Sequence, residues 1–313
     1  MADADLRPMS LGEVLDRTFN LYKNHFWLFA GITALPFSLL LIAQIAVAAA
    51  GSVAAKAPAA HTAPFSPGAV GGMVGGGALV LLLYFVMIGA AHAATVFAVS
   101  DLYLSRPVSI RGSFTRVGWK VFRVLAVFLL LGLILVVGIV VIPFVLFVLP
   151  TAALKGIGLL FLIPAVGIPV AVLILMVNLM CRAAVSIPAA MLEDLGAVRA
   201  LERSVHLTKG HVLQIFVIFL LVVVATYVAI LVLQMPLLIL MMASVTAHKT
   251  PSFGLQVLQQ LAAFVSQVLV GPIGTIAFSL MYYNLRVRKE AFDIQHLMAS
   301  MSANPEPNAS SAA

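Results

Sequence analysis

The sequence predicts an all-α integral membrane protein: six transmembrane helices, with three amphipathic interfacial helices on the cytoplasmic face. Three observations predict it. Of 313 residues, 63% are hydrophobic and only 9% are charged, against about 25% in a soluble domain. So little charge cannot cover a surface in water, and most of the chain must face lipid. The apolar residues gather into six long runs without charge. Finally, Lys and Arg crowd into alternate connections between those runs.

The runs fall at about 26–49, 73–99, 124–149, 157–181, 212–240 and 257–284. Roughly 24 residues at 1.5 Å each give about 36 Å of helix, enough to cross a hydrocarbon core of about 30 Å with some tilt. Backbone polar groups in lipid need partners within the segment, which selects helices, and no alternating barrel pattern competes. The first run is too long for the core of a cleaved signal and is read as an uncleaved anchor. Residues 124–181 carry one charge, Lys155, and four prolines, Pro143, Pro150, Pro164 and Pro169. A tight turn is expected around Pro150 to Lys155; a re-entrant segment is the alternative.

Charge placement orients the spans. Arg7, Arg17 and Lys23 precede the first span. Arg106, Arg111, Arg116, Lys120 and Arg123 follow the second, Arg182, Arg199, Arg203 and Lys209 the fourth, and Arg286, Arg288 and Lys289 the sixth. The other connections hold one cation each: Lys56, Lys155 and Lys249. Loops rich in Lys and Arg stay in the cytoplasm, so both termini are placed there. The net charge of +7 follows from this arrangement, and nucleic acid is not expected as a partner.

Before the first span the chain reads "LDRTFNLYKNH" (15–25). Before the fifth, 186 residues later, it reads "LERSVHLTKGH" (201–211). Ser10 and Glu13 have the spacing of a capping box. Leu11, Val14, Leu15, Phe19, Tyr22 and Phe26 then share one helical face, opposite Glu13, Asp16, Asn20, Lys23 and Asn24. In the second copy Val198, Leu201, Val205 and Val212 oppose Arg199, Glu202, Arg203, His206 and Lys209. Both describe a helix lying at the membrane surface. A third lead-in, "SIRGSFTRVGWKVFR" (109–123), starts at a capping Ser109 and lies about midway between the other two. The expected organisation is a polar segment 1–9, a membrane domain 10–288 and a cytoplasmic tail 289–313 whose end is disordered. The domain divides into units at about 10–100, 107–193 and 194–288, each a surface helix followed by a helical hairpin. An even number of spans per unit makes the repetition parallel.

The candidate contacts with lipid head groups or a partner are Arg17, Lys23, His25, Arg203, Lys209 and His211. The cations reach phosphates by snorkelling, and Asp16 or Glu202 is placed to pair with an arginine of another surface helix. His25 and His211 hold matching positions, without the further ligands a metal requires. Except for Arg182 at an end, no acid or base interrupts the spans. A charge at mid-bilayer costs at least about 2.5–3.5 kcal/mol, so those present are usually functional, and their absence weighs against ion-coupled transport. HExxH, GxSxG and GxxxxGK[ST] do not occur. His92, Gln44, Asn178, Gln234 and Gln267 are expected to make interhelical hydrogen bonds. The glycines of "GGMVGGG" and "VGPIGTIAF" suit close helix contact, and the segment at 51–72 suits a flexible outer loop. The single cysteine, Cys181, allows no intrachain disulfide.

Three stretches, "PMSLGEVLDRTFNLYKNHF", "ALERSVHLTKGHVLQIF" and "GPIGTIAFSLMYYNLRVRKEAFDI", together resemble the membrane domain attached to some glycerophosphoryl diester phosphodiesterases. The resemblance implies a multi-pass membrane domain. It transfers no catalysis, because those enzymes act through a separate barrel of about 250 residues with no counterpart here. The expected role is therefore non-catalytic, without cofactor: a scaffold, a partner of another membrane protein, or a module contacting membrane lipids, in the inner membrane. A passive transporter or channel for a small or lipid-like solute is the alternative; polar residues lining facing helices, His92, Asn178 and Gln267 among them, would favour it. A membrane enzyme ranks third. Reporters fused to either terminus are expected to read out in the cytoplasm, and one inserted beside Lys56 on the opposite face. Termini on opposite faces would refute the six-span count.

Overall fold

The computed structural model describes residues 8–54, 67–141, 162–246 and 252–290. The helices in these segments are α1 (Leu11–Asn24), α2 (Phe26–Ala54), α3 (Pro67–Tyr103), α4 (Ile110–Val117), α5 (Val121–Val136), α6 (Leu162–Ala183), α7 (Ser186–Leu192), α8 (Ala197–Thr208), α9 (Val212–Thr246) and α10 (Phe253–Glu290). No strand occurs among the described residues. Six stretches are long and apolar enough to cross a membrane: Phe26–Ala50, Gly77–Tyr103, Ile110–Val136, Pro169–Leu192, Val212–Ser244 and Phe253–Glu290. The chain is a multi-pass membrane protein. The expected turn at Pro150–Lys155, most of the outer loop and the tail beyond Glu290 lie outside the described residues.

A short amphipathic helix followed by long apolar helices occurs three times: α1 before α2 and α3, α4 before α5 and α6, and α8 before α9 and α10. The short helix α7 is an addition that the sequence reading did not anticipate. Ser10 caps α1 as its spacing requires: its Oγ accepts from Glu13 N at 3.4 Å, and its own N–H donates to Glu13 Oε2 at 2.6 Å. Ser109 caps α4 by accepting from Gly112 N at 3.0 Å. The third span departs from the expected run. α5 ends at Val136 and passes into a wider turn at Val137–Val141. There Gly138 faces α6 so closely that a Cβ would overlap the Met176 thioether, which explains a residue without a side chain at that point.

The centre of the bundle is the second half of α10. Ile276, Ala277, Leu280, Met281, Tyr282 and Leu285 are buried there, with α1, α2, α3 and α9 packed around them. Gly271 and Gly274 set two of these approaches. A Cβ on Gly271 would meet the Thr33 methyl of α2 at 3.6 Å, and one on Gly274 would meet Val222 of α9 at 3.2 Å. Packing in lipid favours such small residues because dispersion gains from close contact replace the missing hydrophobic drive. The third and fifth spans are peripheral: only 11% of each apolar window is buried. Leu220, Val224, Val228, Leu231 and Val232 on α9 are exposed, as a lipid-facing surface should be.

The surface helices are seated on the bundle by small residues. In α1 the buried positions are Val14 and Thr18, and in α8 they include Ala200 and Ser204. These are equivalent places in the repeated sentence. The larger apolar residues that the spacing puts on the same face diverge: Phe19 is 52% exposed and Val198 is 60% exposed. The reason is that Thr18, Ala200 and Ser204 bring the backbone close to the bundle, so the bulky neighbours turn outward to the level of the lipid head groups. Ser204 Oγ donates to Arg182 O at 2.6 Å, satisfying a carbonyl at the end of α6 that no helical N–H can reach.

The two described ends of the chain meet. Asn284 on α10 accepts from Met9 N at 2.8 Å, donates to Met9 O at 3.1 Å and is 1% exposed; Arg288 Nη2 donates to the same carbonyl at 2.7 Å. Replacing Asn284 by Leu leaves the Met9 amide buried without a partner. It is expected to destabilise the protein by about 1–3 kcal/mol, measured as a lowered thermal unfolding midpoint in detergent.

Candidate functional site

An intramembrane cavity of about 350 Å³ lies between α2, α3, α9 and α10. Its apolar wall comes from Phe37, Leu40, Leu41, Val222, Ile230 and Phe264, and its polar groups from Gln44, Tyr84, His92, Thr226, Gln234, Ser266 and Gln267. Phe37 and Gln44 stand roughly 17 and 27 Å along α2 from its start, at 1.5 Å per residue. The cavity therefore extends from mid-membrane toward the side away from the surface helices.

The polar residues divide by how they are satisfied. Thr226 and Ser266 bond back to carbonyls of their own helices, Val222 O and Ala262 O, each at 2.7 Å. His92 Nδ1 lies 2.5 Å from Thr275 Oγ1, which ties α3 to α10, and Gln259 Nε2 donates to Gln234 Oε1 at 3.4 Å, which ties α10 to α9. These are the interhelical bonds expected of His92 and Gln234. Gln44 and Gln267 line the cavity without a hydrogen bond to any other described residue. A hollow of about 10 Å³ beside it shares His92, Gln267 and Gly271, room for about one water. Asn178 is elsewhere: it accepts from Arg182 Nε at 2.8 Å within α6, so it neither crosses between helices nor lines the cavity. Gln44, Tyr84 and Thr226 complete a lining that the sequence could not assemble, since four helices supply it. Among the described residues no charged side chain borders the cavity.

The surface helices gather at the opposite end of the bundle. Arg203 donates from Nε to Glu193 Oε2 at 2.9 Å and pairs with Glu290 through both terminal nitrogens. Arg286 Nε reaches Glu290 Oε2 at 3.1 Å, and Tyr282 OH donates to Glu193 Oε1 at 2.6 Å. The expected acidic partner, Glu202, is exposed on the far side of its helix. Arg203 is therefore occupied within the chain. Arg17 stacks over the Tyr103 ring at 4.8 Å and meets the Met9 sulfur at 3.8 Å. Lys23 and Lys209 are exposed; the Lys209 carbonyl, with that of His206, accepts from Lys289 Nζ at 2.8 Å, which closes the C-terminal end of α8 with a cation. His25 and His211 stand at matching hinges, between α1 and α2 and between α8 and α9. His25 Nδ1 lies 3.3 Å from Leu21 O, whereas the buried Nδ1 of His211 has no hydrogen-bond partner among the described residues. The structure brings these six residues to one end but not into one site.

A family described as "Domain of unknown function (DUF7847)" matches residues 114–285, more than half of the chain. The chain belongs to this family. No curated protein and no solved structure matches it. The DUF7847 match contains the α9 and α10 walls of the cavity and, at the other end, Glu193 and Arg203. Replacing Glu193 by Gln removes the carboxylate that holds Arg203 and Tyr282. Side chains there are one-fifth to one-quarter exposed, so the expected cost is about 2 kcal/mol, below that of breaking a fully buried pair. Arg111→Gln, on an exposed position of α4, is expected to change stability by less than about 0.5 kcal/mol; thermal unfolding of both variants in one detergent makes the comparison.

Proposed function

We propose that the protein is a non-catalytic lipid-contacting module of the cell's inner membrane, with both termini in the cytoplasm, and that it holds a neutral amphiphile in the intramembrane cavity. One observation carries this reading: a cavity at membrane depth with an apolar wall and converging glutamines, Gln44 and Gln267, that find no bond within the described protein. Both amides are partly buried; a polar group facing an apolar cavity without a partner is unfavourable, and an occupant that supplies the bonds relieves it. Its polar group should be uncharged, because no described side chain beside it carries an opposite charge. The alkyl part fits against Phe37, Leu40, Leu41 and Phe264. The one-sided cations support the orientation, and the resemblance to phosphodiesterase membrane domains supports a membrane role without the attached chemistry.

Polar side chains on facing helices, His92 and Gln267, also favour passive passage of a small or lipid-like solute. Retention separates the readings: a bound amphiphile stays through purification, whereas a conduit conducts and retains nothing.

Native mass spectrometry of the purified chain is expected to show a retained neutral amphiphile. Gln267→Leu should lower its occupancy several-fold, and Ala263→Phe, which fills the cavity, should lower it further. Val232→Phe, on the lipid-facing side of α9, should leave it unchanged. Equal occupancy in all four proteins would refute the assignment.

A further inference from the structure

At the end that carries the surface helices, a second cavity of about 510 Å³ is bordered by Arg106, Arg116, Lys120, Arg286, Asp194 and Ser100. We propose that it is an anion site for a phosphate-type group, separate from the intramembrane cavity and from the function assigned to it.

The first support is charge. Around the cavity stand six cations, Arg106, Arg116, Lys120, Arg123, Arg203 and Arg286, and four carboxylates, Asp101, Glu193, Asp194 and Glu290. Asp101 takes Arg116 at 2.6 Å, and Asp194 is shared between Lys120 and Arg123, each 2.6 Å from the same oxygen. Those two cations, Lys120 first, hold the Asp194 carboxyl below the ordinary aspartate range. Glu193 and Glu290 serve Arg203 and Arg286. Arg106 pairs with no carboxylate among the described residues. Among the described residues cations outnumber carboxylates around the cavity, the balance a phosphate-type group requires.

The second support is backbone. Ser105 and Asp194 both have φ of +54°, a region that disfavours a side chain. Both follow helix ends, where glycine is the usual residue. Ser105 directs the chain into Arg106, and Asp194 itself lines the cavity. Strain of this kind persists where surrounding structure holds it, often at binding sites.

The third is depth. Trp119, next to Lys120 in sequence, is 85% exposed and stacks on half-exposed Phe122. Trp27, at the start of α2, is 83% exposed. Tryptophan settles at the level of lipid head groups, so the cavity lies where a lipid phosphate would stand. Free phosphate has the same recognition chemistry.

The test uses the full chain in neutral detergent with two probes: inorganic phosphate against chloride at matched ionic strength, and mixed micelles of phosphatidic acid against phosphatidylcholine. Binding is read from the rise in thermal unfolding midpoint with probe concentration. Wild type is expected to respond to phosphatidic acid. A response to inorganic phosphate as well assigns the site to the free anion too, and a response to inorganic phosphate alone assigns it to the free anion only. Arg106→Gln should weaken the response at least about tenfold without lowering the midpoint of the unliganded protein, because Arg106 supports no ion pair. Arg111→Gln, an equal loss of charge outside the cavity, should leave it intact. No response to either probe, or equal weakening by the two variants, would overturn the proposal.

Discussion

The architecture depends on the clamp of Arg203 between Glu193 and Glu290. Glu193 ends the α6–α7 segment, Arg203 lies on α8, and Glu290 closes α10. One guanidinium thereby joins three pieces of chain that lipid alone would leave free to slide. Hydrocarbon supplies no net drive for helices to meet. The polar bonds that fix which helices meet must form where water thins out but the full cost of burying a charge does not apply. The end of the bundle is such a place. Met9, Asn284 and Arg288 do the same for α1, and Arg116 with Asp101 does it for α4.

Deeper in the membrane the chemistry changes. Ion pairs give way to hydroxyls that bond to their own helix, and then to amides and one imidazole that bond across helices. His92 with Thr275 and Gln259 with Gln234 hold α3, α9 and α10 in register without a charge at mid-bilayer. The same helices splay around the cavity, and Pro272 falls in that stretch of α10. A proline removes one ladder bond and loosens the turn before it. Tyr22 donates to Leu269 O at 2.6 Å in that turn. The surface helix α1 is thus bonded directly to the segment of α10 whose other face lines the cavity through Val270 and Gly271.

Much of this was legible in the sequence, for identifiable reasons. Uncharged runs report spans because lipid tolerates little else, and a Ser-x-x-Glu spacing reports a helix start because only that spacing lets each side chain reach the other's amide. The repeated sentence located two surface helices and most of the inner face of α1, where Leu11, Val14, Leu15 and Tyr22 pack on the bundle, but not the whole of either face. Apolar size suggested Phe19 and Val198, whereas close packing selected Thr18, Ala200 and Ser204. Arg203 looked like a lipid anchor because its partners stand 10 residues before it and 87 after it, and only the folded bundle brings them together. The cavity was illegible for the same reason. Gln44, His92, Gln234 and Gln267 are each ordinary interhelical residues when read singly. The structure turns polar groups of four helices toward one void and leaves Asn178, equally plausible by composition, on another helix.

The extent of the family match divides the molecule along a meaningful line. The matched residues 114–285 include Glu193 and Arg203, the seat of α8 on α6, and the walls that α9 and α10 give the cavity. Gln44, Tyr84 and His92 lie before the match, on α2 and α3. Four of the cavity's seven polar groups, Thr226, Gln234, Ser266 and Gln267, lie inside the shared domain. The clamp crosses the same boundary, with Glu193 and Arg203 inside the match and Glu290 beyond it. Its carboxylates and guanidinium are matched in geometry and in charge, so changing one strands the others in a poorly hydrated place. The cavity lining and the clamp are therefore formed by different residues at different depths, joined through the long helix α10.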